Sequence, residues 1–315
     1  MKTNPESGQK VAPAKPVKKR RKRKQGQLGE FLCTLPAILL VLLTIYYPLA
    51  DLVRVSFTNW NLLSTKFKYV QLKNWIWFFN STTGNDFVKD MMTTIQYSLW
   101  SVSATLVIGL LLALLMSRLN KSFSTMRAII FLPKYVGMST AGILFLWILN
   151  KDYGIVNNIL AMFGIERIGW TTTEGWAMAS VLMLTVWHSI GYAMMIYLSA
   201  MTGIPSQYKE AAALDGAGKT RTFMHVTLPL LTPTMMFLLV TQFISSMKIF
   251  NAVDIMTEGG PYGTTEVVVY LIYKLAFIDN RIDRSSVVAL VFFAFLLVVT
   301  ILTMRWSENK VNYDM

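Results

Sequence analysis

Apolar residues gather into six runs along this chain, approximately 31–53, 95–117, 128–149, 176–200, 234–253 and 286–304, with charge, glycine and proline returning between them. A run near 20 residues crosses about 30 Å of hydrocarbon at about 1.5 Å per residue. In lipid the backbone must satisfy its own N–H and C=O groups, which leaves helices or closed barrels. The strict alternation of a barrel strand is absent from these runs. The pattern predicts an all-α integral membrane protein with about six transmembrane helices.

The connecting segments differ in character. Residues 54–94 hold Trp60, Trp75, Trp77, Phe78 and Phe79, and Leu72 to Asn80 reads as a short helix lying at an interface. Residues 254–285 contain Glu258-Gly259-Gly260-Pro261, a turn signal. Residues 201–233 form the most structured connector. Pro205 and Ser206 suit a helix start, with Ser206 a candidate cap. Ala211 to Leu214 are strong helix formers, and Gly216 and Gly218 suit a helix end. A second helical piece, Thr220 to Thr227, is expected to stop at Leu228-Pro229, and Pro233 to open the next membrane helix. The product is a two-helix elbow whose consecutive alanines leave room for another backbone. A plain amphipathic connector would carry the same local signals.

Composition sharpens the class. Only 15% of residues are charged, against about a quarter in soluble domains, and 54% are hydrophobic. The net charge is +13, and ten of the thirty Lys and Arg lie in the first 24 residues. Residues 1–28 lack large apolar side chains apart from Met1, Val11, Val17 and Leu28, and are expected to be a disordered basic tail. The basic run Lys18 to Lys24 precedes the first apolar run, as a topology-fixing cytoplasmic tail does. It holds no aromatic residue for base stacking, which argues against nucleic acid. With the N-terminus inside, inside segments carry roughly eighteen basic residues against roughly ten outside, which puts both termini in the cytoplasm. The first apolar run is too long for a secretory signal and no small-residue cleavage site follows it.

Catalytic and metal signatures are missing. There is no GxxxxGK[ST] phosphate loop, no HExxH and no GxSxG. Cys33 is a single thiol, and His188 and His225 lie in different segments. The chain is expected to be no enzyme and to bind no metal or cofactor. Asp and Glu are nearly absent from the six runs, which disfavours a proton- or sodium-coupled transporter acting alone.

Glu210-Ala211-Ala212, Asp215-Gly216-Ala217 and Leu228-Pro229 resemble the EAA loop of binding-protein-dependent ATP-binding-cassette (ABC) importer permeases, with Glu210, Gly216 and Leu228-Pro229 in its register. Thr257 to Pro261 with Thr265 and Tyr273 to Phe277, Leu132-Pro133, Trp147, Asp152-Tyr153-Gly154 with Asn157, and Ser56 to Trp60 resemble further regions of the carbohydrate-uptake branch, of maltose and multiple-sugar type. The resemblance covers nearly everything after residue 28. It implies a type I importer permease fold over 29–315, in a bacterial cytoplasmic membrane. It implies a second permease as heterodimer partner, two ATPase subunits that hold the ATP and Mg, and an extracytoplasmic solute-binding protein. The helix around Glu210 to Leu214 would be the element coupled to the ATPase.

The solute path is less marked. Gln242, Ser245, Ser246, Lys248 and Asn251 in the fifth run, and Trp187, His188 and Tyr192 in the fourth, are polar or aromatic groups inside apolar segments. Rings that stack on a sugar's CH face beside groups that bond its hydroxyls suit a sugar-like solute. Ser and Gln also join membrane helices to one another, so packing competes with a path role for each. Lys134 and Lys248 admit a similar pair of readings. Lys248, placed toward the outer end of the fifth helix, either snorkels to the interface or meets an anionic solute such as a glycerol phosphate ester.

Overall fold

A computed structural model describes residues 26–61, 63, 64, 66–117 and 121–310. The basic tail up to residue 25 lies outside the described residues, and where the expected 1–28 segment meets them a helix has already begun at Gly26. The chain divides into two compact units, Met1–Asp51 and Leu52–Met315. The described part of the first is one helical run that continues as span 1, Phe31–Ser56.

Among the described residues four helices are long and apolar enough to cross a membrane: span 1, span 2 (Gly84–Leu115), span 4 (Trp176–Gly203) and span 6 (Ile282–Arg305). Two bent pairs complete six: span 3 (Phe123–Tyr135 with Met138–Ile148, bent 103°) and span 5 (Lys219–Leu230 with Thr232–Met247, bent 61°). No strand occurs among the described residues, apart from one isolated bridge between Thr58 and Tyr69. The fold is all-α, as the hydrophobic pattern predicts.

Proline chemistry explains the irregular turns. A π turn at Leu42–Tyr46 precedes Pro48 by two residues, and another at Phe223–Thr227 precedes Pro229 by the same interval. A proline ring crowds the carbonyl four residues back and supplies no N–H to it. The widened turn relieves that conflict, with the Tyr47 N–H donating to Leu42 O and the Leu228 N–H to Phe223 O. Leu228-Pro229 therefore does not stop the helix as expected. The break falls at Leu231, fully buried between Pro229 and Pro233. In span 3 the break follows Pro133, where Val136 (ψ 129°) and Gly137 (ψ 136°) leave helical geometry.

Two boundaries differ from the apolar runs. Span 2 begins about three turns earlier than residue 95. Asp86, Lys89 and Asp90 interrupt the hydrophobic pattern there, yet Phe87 and Asp90 are buried. Span 5 ends at Met247, and Asn251 opens a separate short helix, Asn251–Met256, instead of continuing the fifth helix.

Spans 2 and 4 pack along much of their length. Small residues set that spacing: a Cβ on Gly109 would lie 2.8 Å from the Ala193 Cβ. A Cβ on Gly191 would collide with the Ile130 carbonyl and lie 2.8 Å from Phe131 Cα, so spans 3 and 4 touch backbone to backbone. One apolar cluster around Met194, Tyr197, Leu231 and Leu238 ties span 4 to the bend of span 5. A second, around Val181, Leu184, Val253 and Tyr270, joins span 4 to the Asn251–Met256 helix. A third, around Phe78, Met247, Val288 and Phe292, joins spans 5 and 6 to the Lys73–Asn80 helix, which forms where the sequence places it. Val107, Leu111, Ile143 and Trp147 remain exposed, as side chains facing lipid or a neighbouring subunit are.

Candidate functional site

The elbow forms from Ser206–Leu214 and Lys219–Leu230. Pro205 is the N-cap of the first helix and no side chain caps it, so Ser206 is its first helical residue and not the cap. The exit is a Schellman ending. Gly216 has φ +73°, its N–H donates to Ala213 O at 3.0 Å, and the Ala217 N–H donates to Ala212 O at 2.9 Å. Gly218 does not end this helix; with φ −68° it is the N-cap of the next.

No residue of Ser206–Leu214 is buried. Glu210, Ala211, Asp215 and Gly216 are exposed, Ala212 and Ala217 half-buried. Leu214 is 90% exposed and Tyr208 49%. Leu228 is half-buried and Pro229 exposed beyond the π turn. Behind the elbow a cavity of 1030 Å³ separates it from the ends of spans 2 to 4, lined by Leu114, Met201, Ile204, Lys209, Lys219 and Phe223 among others. Beside it Arg127 donates from Nε and Nη2 to Met116 O at 3.0 and 2.6 Å, closing the end of span 2.

A second cavity, of 260 Å³, lies between spans 2, 4 and 5. It brings together Gln242, Ser245, Ser246, Lys248 and Asn251, all five candidates of the fifth run. Ser246 is buried and its hydroxyl donates to Phe243 O at 2.8 Å, while Ser245, Lys248 and Asn251 are exposed. Met138 of span 3, Ile249, Phe250 and Ala252 also line it, together with four more polar residues, Tyr97, Ser101, Thr185 and Ser189. Sequence reasoning missed these four. Their spacings, 97 to 101 and 185 to 189, put each pair on one helix face and were the available signal.

Trp187, His188 and Tyr192 do not line this cavity. His188 Nε2 lies 3.1 Å from Val136 O, so its ring N–H serves the carbonyl released by the bend of span 3. Trp187 packs on Phe145, ring centroids 5.3 Å apart. Lys134 Nζ lies 5.7 Å above the Tyr192 ring.

At the far end from the elbow, Asn157 organises the Asp152-Tyr153-Gly154 segment. It is fully buried, and its Nδ2 faces the carbonyls of Asn150, Lys151 and Ile168 at 2.9–3.2 Å. Its Oδ1 accepts from Ile168 N and Trp170 Nε1, both at 3.1 Å. The Glu258 to Pro261 turn forms as expected, with Glu258 and Gly259 at positive φ. Thr265 Oγ1 clamps it, 2.7 Å from Gly260 O and 2.8 Å from Thr257 Oγ1. Among the described residues no group of three or more His, Cys, Asp or Glu could hold a metal ion.

The family described as binding-protein-dependent transport system inner membrane component matches residues 105–313. The chain is 32% identical to the sulfoquinovosyl glycerol transport system permease protein SmoG of Agrobacterium fabrum, over 87% of this chain and 89% of that one. It is 30% identical to the probable ABC transporter permease protein YurN of Bacillus subtilis, over 90% of this chain and 98% of that one. It is 27% identical to the sn-glycerol-3-phosphate transport system permease protein UgpA of Escherichia coli O157:H7, over 90% and 95%. A crystal structure of a bacterial ABC transporter involved in the import of alginate superposes with a TM-score of 0.81, at 22% identity, over 91% of this chain and 98% of that one.

Proposed function

Because the chain belongs to the binding-protein-dependent inner-membrane permeases of ABC importers, we propose that its exposed elbow is where the driving ATPase engages it and that its solute is a sugar or sugar-like polyol. The observation that carries the coupling role is the Ser206–Leu214 helix: sharply ended on both sides, yet without a buried residue. A nine-residue helix is marginal in water without packing, so its order points to a docking partner. Leu214, almost wholly exposed, and the small Ala211 to Ala213 face offer a contact surface. Glu210 and Asp215 offer carboxylates to basic groups of that partner.

The mechanism is mechanical. ATP and Mg sit on two separate ATPase subunits, and this chain hydrolyses nothing. When those subunits close, the elbow shifts within the space left by the cavity behind it, and spans 4 and 5 follow because Leu231 and Tyr197 share one packed cluster. Access to the cavity between spans 2, 4 and 5 then alternates. A second, different permease closes the open side of that cavity, and an extracytoplasmic solute-binding protein delivers the solute. Elbow and termini face the cytoplasm, by the basic-residue bias. The polyol assignment is supported by the relatives' solutes, sulfoquinovosyl glycerol and sn-glycerol 3-phosphate, and by the hydroxyl- and amide-lined cavity.

The test is co-purification. The tagged full chain, solubilised from its native membrane, is expected to bring down an ATPase with a phosphate loop and a second permease. Leu214→Asp is expected to lose the ATPase and keep the permease. Retention of the ATPase at wild-type level, with normal uptake, refutes the docking role.

A further inference from the structure

Lys248 occupies a position that the sequence alone misplaces. Lys248 follows the last helical residue of span 5 and lines the 260 Å³ cavity. Tyr97 and Ser101, which line it too, lie at the centre of Gly84–Leu115, and Thr185 and Ser189 at the centre of Trp176–Gly203. Lys248 is therefore level with the middle of spans 2 and 4, not toward an outer end. From there an interface is about 15 Å away, half of a ~30 Å core. A lysine stem reaches only ~6 Å, so snorkelling does not explain this charge.

Among the described residues nothing neutralises it. No carboxylate lines the cavity, and Lys248 makes no ion pair among the described residues. Lys134 lies outside the cavity lining, its Nζ 5.7 Å above the ring of Tyr192, which is one turn beyond Ser189 on span 4. It is likewise exposed and without an ion pair among the described residues. An uncompensated ammonium at this depth is expensive and points to a ligand of opposite charge. The lining also offers hydroxyl and amide groups that both donate and accept hydrogen bonds, Ser101, Thr185, Ser189, Gln242, Ser245 and Asn251, beside an apolar wall of Met138, Ile249, Phe250 and Ala252.

We propose that this mid-membrane cavity is a subsite for a small polyhydroxylated organic anion, with Lys248 the specificity-determining contact to its phosphate, sulfonate or carboxylate group and Lys134 a second cation along the same path. The assignment rests on the chain being a permease. The volume suits one sugar ring or one glycerol ester, a single small unit in transit. The competing account makes Lys248 a structural cation at the C-terminus of the Thr232–Met247 helix, where the dipole favours positive charge.

Charge-paired thiol probes test the field at the site without knowledge of the natural solute. In the full assembly carrying Cys33→Ser and Ser245→Cys, labelling rates are measured with a sulfonate-bearing and a trimethylammonium-bearing methanethiosulfonate, each normalised to a free thiol. The sulfonate reagent is expected to react at least tenfold faster, and Lys248→Gln to erase most of that preference while Lys248→Arg keeps it. In ATP-driven uptake, the solute that the native assembly accumulates is expected to be anionic. Its half-saturation concentration should rise at least tenfold in Lys248→Gln and be restored in Lys248→Arg, at equal membrane content of the three forms. A labelling ratio near one, a ratio untouched by Lys248→Gln, or equal uptake of a neutral solute by both forms overturns the assignment and leaves the permease reading standing. An assembly without ATP-driven uptake, yet with the labelling preference, overturns the permease reading and leaves an anion site.

Discussion

Gly216 offers the sharpest test of the elbow because two possible causes of its importance separate there. A Cβ added at Gly216 meets nothing within 4 Å. Space is therefore free, and any penalty comes from the backbone, held at φ +73°. For an L-residue the left-handed region costs about 1–2 kcal/mol, more for a β-branched side chain and less for Asn. The Schellman bonds at 3.0 and 2.9 Å hold only in that conformation. The penalty shifts the balance between the correctly aimed elbow and a frayed exit. At about 1.4 kcal/mol per factor of ten, Gly216→Ala is expected to lower coupled uptake several-fold, Gly216→Val by ten- to a hundredfold, and Gly216→Asn by little. The assay is ATP-driven uptake by the reconstituted assembly, alongside membrane content of the variant and its ATPase activity. Insertion should be unchanged throughout, because no membrane span is touched. The order Asn, Ala, Val is the signature. Equal loss in Asn and Val would falsify the conformational account, and normal uptake in Val would remove the elbow's exit from the mechanism.

The remaining expectations concern packing and polar satisfaction. Gly191→Ala is the steric opposite of Gly216, since its Cβ would meet backbone at Ile130 and Phe131; it should lower the detergent melting temperature by several degrees even though alanine favours helix. Asn157→Ala leaves buried polar groups of Ile168 and Trp170 unpaired, at about 1–3 kcal/mol each; a lower melting temperature and faster proteolysis of the 150–170 segment should follow, and unchanged stability would refute the hub. The hydrogen bond that Lys274 Nζ donates to Glu266 Oε1, 3.0 Å away, raises the Lys274 pKa above its ordinary 10.5. Its contribution is complete below that value and lost only as pH rises past it, so the stability of Glu266→Gln relative to wild type should not vary between pH 8 and 9. With Lys274 43% exposed, the pair should be worth under about 1 kcal/mol.

Hydrophobic periodicity made six crossings legible because burial in lipid is a property of each run by itself. The elbow was legible for a similar reason: alanines and glycines act locally on helix ends. What stayed hidden depends on contacts between distant residues. The run over 128–149 gives no sign of a 103° bend, since the carbonyl it frees is taken up by His188, 52 positions along the chain. His188 accordingly read as a path residue when its observed partner is a backbone carbonyl. Ser206 looked like a cap because the residue type fits, yet Pro205 occupies that position. The polar turn Asp86 to Asp90 masked the start of span 2, and the depth of Lys248 could be read only once spans 2 and 4 stood beside it.

The bend at Leu231 has a geometric consequence. Leu231 is immobilised in the core, with a rigid arm on either side: toward the elbow, the Lys219–Leu230 helix, and toward the cavity, Thr232–Met247. At about 1.5 Å per residue the cavity arm measures ~24 Å, so a rotation of ~10° about the fulcrum sweeps its tip through ~4 Å. That travel is comparable to the width of a sugar hydroxyl's bonding shell. Under the proposed coupling, a lever of this kind trades force for displacement: a push on the exposed elbow helix becomes a longer, weaker stroke at the tip that lines the cavity.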